Sequence, residues 1–171
     1  MGKYYSDYFS THYDLKEKGV LLTMQVLNSI VNTTKLPATH HVLDSVIPSI
    51  FNNECFNQKK LTFFEEAKNT EVAHLLEHLI LENLKLIKLK NSKTADFRGL
   101  TSWNWEKNPY GTFKINISSR CNFHKYFFRA FKNSVLILNY IYEKSLAESG
   151  NLSKPDQGAR QILAPELFST L

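Results

Sequence analysis

Apolar residues recur at helical spacing in several stretches of the chain and alternate with polar ones in two others. "KGVLLTMQVLNSIVNTT" (18–34) reads as a helix. "HHVLDSVIPSIF" (40–51) reads as a shorter one, bent at Pro48. "LTFFEEAKN" (61–69) gives a brief helix. The next helix starts with Thr70 as a cap and Glu71 in its first turn, and runs to about Lys88 with lysines 85, 88 and 90 at its end. "FRGLTSWNWE" (97–106) and "YGTFKINIS" (110–118) alternate around the turn "KNPYG" and predict a hairpin. "NFHKYFFRAFKNSVLILNYIYEKSLAE" (122–148) predicts a long helix capped by Asn122. The expected fold is α+β: a mainly helical domain over 1–148, with a small antiparallel hairpin packed on the helix at 70–88 and the long C-terminal helix, followed by a loop and tail over 149–171.

The helix at 70–88 carries more than packing residues. "TEVAHLLEHLILENL" places His74, Glu77, His78 and Glu82 among leucines. At about 100° per residue, with His74 as zero, His78 falls near +40°, Glu82 near +80° and Glu77 near −60°. The apolar residues centre near 160°, on the opposite side. Leu81, near −20°, sits inside the polar stripe and Leu84, near −80°, flanks it. Leucines there predict that something packs over this side too, so its polar groups need partners.

Histidines at i and i+4 point the same way, about 6 Å apart along the axis. Their imidazoles can converge on one ion, and Zn²⁺ accepts neutral imidazole together with carboxylate. His74 and His78 are therefore candidate metal ligands, for zinc or another divalent ion. Glu77, beside His78, is the candidate general base, in the His-x-x-Glu-His order of inverted zincins. Glu82 is a candidate third ligand or a group that orients a histidine. Carboxylates elsewhere, Glu143, Glu54, Glu65 or Glu66, compete for the third position. The alternative is two histidines hydrogen-bonded to Glu77 and Glu82 on a surface helix. His12, His40, His41 and His124 have no assignable task.

The ordered segments "VLDSVIPSIFNNECFN", "FFEEAKNTEVAHLLEHLILE" and "FRGLTSWNWEKNPYGTFKINI" resemble the N-terminal domain of cyanophycin synthetase. That domain has a similar Leu-Pro-Ser-Leu helix with a nearby Cys, a Phe-Phe-Glu segment, a His-x-x-Glu-His helix continuing to a Glu, and an Arg-containing strand before a hairpin strand. The resemblance spans about residues 42–120, and more loosely the first 40 and the helix at 122–148. It implies a module that holds an Asp/Arg polymer and, in some members, a metallopeptidase-like site that cuts it. It also implies metal-binding positions at His74 and His78, the general base at Glu77, the downstream acid at Glu82, and a carboxylate-binding role for Arg98. The synthetase's ATP-grasp and Mur-ligase-like domains do not fit in 171 residues, and no P-loop is present, so a ligase is excluded. The lysine-rich "NLKLIKLKNSKTAD" matches nothing in that family. Trp103 and Trp105 read as packing, with a groove wall as the other reading.

Composition narrows the partners. The net charge of +5 fits ordinary solubility and suits acidic ligands, while no RNP, KH or zinc-finger pattern points to nucleic acid. Cys55 and Cys121 form no Cys-x-x-Cys pair and the start has no signal-peptide layout; both fit a reducing cytoplasm. Ser6 after Gly2 is a chance match to a myristoylation signal. No apolar run is long enough for a membrane span. The expected function is hydrolysis of a peptide or isopeptide bond in a peptide or polyamide substrate. The alternative is a non-catalytic polymer- or peptide-binding module, and a third reading is a partner-binding domain with no chemistry.

Overall fold

The computed structural model describes residues 1–55, 61–89, 97–120 and 123–150. Five strands, β1 (Gly2–Tyr5), β2 (Phe9–Lys16), β3 (Gly19–Val26), β4 (Phe97–Ser102) and β5 (Thr112–Ser119), form one antiparallel sheet in the order β1-β2-β3-β5-β4. The helices are α1 (Thr39–Val46), α2 (Phe63–Glu66), α3 (Val72–Leu89) and α4 (His124–Glu148), with 3-10 turns at Thr33–Lys35 and Pro48–Asn52. The α+β class holds. The expected small hairpin supplies two strands of a larger five-stranded sheet, so the described residues mix helix and strand and do not bear out a mainly helical domain.

The chief correction concerns 18–34. Val20, Leu22, Met24 and Val26 are buried on one side of β3 and the intervening residues are not. Leu21 and Leu27 fall at the other parity, which lends the run its helical look. Pairing with β2 on one side and β5 on the other satisfies the backbone of β3 and decides the matter.

Elsewhere the expected elements stand. Pro48 starts a 3-10 turn rather than bending α1. The hairpin of β4 and β5 pairs Phe97 with Ser119 and Ser102 with Lys114, and Gly111 takes φ +80° in its loop. Asn122, Cys121, Lys90 and the tail beyond 150 lie outside the described residues. Among the described residues, no helix is long and apolar enough to cross a membrane.

The inward side of the sheet, Phe9, Val20, Leu22, Met24, Phe113, Ile115 and Ile117, packs on α3 and α4. Helix α3 is sandwiched: its leucines face the core, while the 3-10 turn at Pro48–Asn52 and Phe63 of α2 lie over the histidine side. Asn83 bonds Ser134 across to α4 at 3.2 Å, tying the two long helices. This enclosure matches the expectation from Leu81 and Leu84.

Candidate metal centre

His74 and His78 stand one turn apart on α3, with ring centroids 4.8 Å apart. Phe63, at the start of α2, stacks on His78 at 3.9 Å between centroids and meets His74 edge-on. Thr62 caps α2 by accepting from Glu65 N, which fixes where Phe63 enters. His74 is held from both sides: Nδ1 lies 2.7 Å from the Thr70 hydroxyl and Nε2 lies 3.5 Å from Cys55 Sγ. The ligand atoms of Cys55, His74 and His78 all fall within 4.8 Å of one another. Sulfur and nitrogen ligands at zinc's usual bond lengths and a tetrahedral angle stand about 3.6 Å apart. The Cys55–His74 separation therefore suits one shared ion.

Electrostatics keep both imidazoles neutral. Burial lowers the His74 pKa, and burial with the nearby His74 lowers His78 from 6.5 to about 3. A neutral imidazole keeps its lone pair for a metal. His78 Nδ1 is buried with no hydrogen-bond partner among the described residues, a group that costs free energy unless something binds it.

Glu77 turns a different way, a quarter-turn round α3 from His78. Its Oε2 accepts from Thr101 Oγ1 of β4 at 2.5 Å, and its side chain lies against Gly99. The residue is only 5% exposed, and burial raises its pKa from 4.5 to about 7 despite the Thr101 hydrogen bond.

Glu82 is fully buried one turn beyond His78. Neither of its oxygens has a hydrogen bond among the described residues, and Lys85 Nζ is 3.7 Å away. It is not among the three grouped residues, the third of which is Cys55. Glu143 lies beside Asp7 and Tyr8, far along α4. Glu65 pairs with Lys68 and Glu54 is exposed. Arg98 is exposed on the outward side of β4, opposite the side that faces Glu77. Trp103 and Trp105 follow β4 and pack on Phe113, and Trp105 Nε1 donates to Thr112 O.

Three residues escape the sequence reading of the site. Cys55 stands in the sequence as the cysteine near the Pro-Ser helix, and its spacing from His74 carries no ligand pattern. Thr70, read as a cap, gives its hydroxyl to His74 instead. Thr101 carries no sequence signal, because only the packing of β4 on α3 brings it to Glu77.

The fold and site define an α+β domain in which a sheet-backed helix presents a Cys/His/His group and a separate buried carboxylate. No protein-family model, curated protein or solved structure matches the chain.

Proposed function

We propose that this protein is a metal-dependent hydrolase of peptide or isopeptide bonds, with zinc or another divalent ion held by Cys55, His74 and His78. The observation that carries the reading is the convergence of those three ligand atoms within 4.8 Å beside an unpartnered buried imidazole nitrogen. Thr70 would fix the ring of His74 so that Nε2 faces the ion, and Phe63 would hold the plane of His78. The ion supplies Lewis acidity, polarising a carbonyl oxygen and making a water easier to deprotonate.

Glu77 takes the proton from the attacking water and passes it to the leaving nitrogen. In the metal-free protein burial holds that carboxyl well above the usual carboxylate range. The resemblance to the cyanophycin synthetase N-terminal domain makes an Asp/Arg polymer the first substrate to try. Arg98 would bind a substrate carboxylate on the outward side of the sheet, away from Glu77 and the Cys/His/His group. A reducing cytoplasm would keep Cys55 a thiol.

One observation favours a second reading, a polymer-binding module without turnover. The outward side of the sheet carries Lys3, His12, Lys16, Lys114 and Arg98 against Asp14. Binding to an acidic polymer that weakens steeply with salt and is indifferent to His74→Ala would support it.

The deciding experiment is metal analysis of protein purified without chelators, with melting in the presence and absence of EDTA. About one ion per chain and a lower melting point in EDTA are expected. Glu77→Gln should keep the ion and the fold but lose hydrolysis. Metal content near zero with melting unchanged by EDTA overturns the proposal.

A further inference from the structure

The inward side of β4 presents Gly99 and Thr101 to α3, two positions apart and so on one side of the strand. Both act on the same carboxylate. Thr101 Oγ1 donates to Glu77 Oε2 at 2.5 Å. Gly99 leaves the room that carboxylate fills: a Cβ there would stand 2.6 Å from both Glu77 Cγ and Cδ. No real side-chain carbon tolerates that approach, so any residue larger than glycine moves Glu77, the strand, or both.

A glutamate on a helix has three rotatable bonds and a broad terminal torsion. A base must be held within a fraction of an ångström of its working position to be effective. Here one hydroxyl fixes one oxygen and one missing side chain fixes the path of the stem.

We propose that Thr101 and Gly99 are positioning residues for Glu77, fixing on the β4 side of α3 the carboxylate to which the hydrolase reading assigns the proton transfer. The inference rests on the hydrolase reading above. Thr101 acts through its hydroxyl, so serine can replace it and valine, of nearly the same shape, cannot.

The test uses acetohydroxamate and the zinc-loaded full chain. A hydroxamate chelates an open-sided zinc and gives its hydroxyl proton to an adjacent carboxylate, so its affinity reports the base without the natural substrate being known. Zinc content is measured alongside for every variant. Wild type should bind, and Glu77→Gln should bind far more weakly. Thr101→Val should weaken binding about tenfold, the scale of one hydrogen bond to a charged group, and Thr101→Ser should recover most of it, with zinc content unchanged. Gly99→Ala should be as weak as Thr101→Val.

Wild-type affinity in Thr101→Val, with Glu77→Gln weakened, overturns the positioning role and leaves the hydrolase reading standing. So does loss of zinc from Thr101→Val, which would make its role structural. If Thr101→Val does not fold, Gly99→Ala decides: unchanged affinity there overturns the inference. A wild type that takes up no zinc, or binds no hydroxamate when loaded, overturns both readings together.

Discussion

Cys55 Sγ lies 3.5 Å from His74 Nε2, although the two residues are 19 positions apart and on different elements. The cysteine follows the 3-10 turn at Pro48–Asn52, which packs on α3 and so sets its thiol beside the ring. That approach brings a thiol, rather than the carboxylate of Glu82, into the group with the two histidines.

The first prediction follows from that set. Cys55→Ala should reduce zinc affinity by more than about a hundredfold, and Thr70→Val by about ten- to a hundredfold. Glu82→Gln should change it less than either. Competition with a chromophoric chelator measures all three. Glu82→Gln losing zinc as completely as Cys55→Ala would restore the acidic third ligand.

Glu82→Gln has a second expected effect. A buried carboxylate without a hydrogen bond is costly, and Lys85 at 3.7 Å offsets little of that cost. In chelator, the variant should be at least as stable as the parent by urea unfolding. A marked loss would mean that the carboxylate is satisfied by something outside the described residues.

Stability of the metal-free protein should depend on pH in two opposing ways. The folded pKa of Glu77, about 7, lies above the ordinary 4.5, so the folded state holds more protons in that window and stability falls as pH rises through it. The folded pKa of His78, about 3, lies below 6.5, so the unfolded state holds more protons and stability falls as pH drops from 6.5 towards 3. Between 4.5 and 6.5 the two slopes oppose each other and the profile is flat. Glu77→Gln should remove the first slope alone. At pH 8 it should exceed the parent by about 3 kcal/mol, and below pH 4.5 the difference should vanish. Urea midpoints in EDTA across this range check it; equal stability at pH 8 would mean that Glu77 is hydrated.

Phe63 is both core and site. It is fully buried and stacks on His78. Phe63→Ala should cost about 3–5 kcal/mol by urea unfolding. Phe63→Leu keeps most of the volume, so its fold should survive while zinc affinity falls. Parent-like affinity in the leucine variant would show that the ring plane does not matter to His78.

What the sequence determined by itself is local. The i, i+4 spacing of His74 and His78 fixes their alignment on α3, because helical geometry depends only on neighbours along the chain. The leucines at 81 and 84 already required cover over the polar side, and Gly111 in "KNPYG" marks the hairpin turn by its own chemistry. What only the tertiary structure decided depends on partners far along the chain. Val20 to Val26 became a strand because β2 and β5 stand on either side of it. Cys55 reached His74, and Thr101 and Gly99 reached Glu77, because chain segments pack on α3 from two sides. Periodicity records which side of an element is buried and carries no record of which distant residue will cover it.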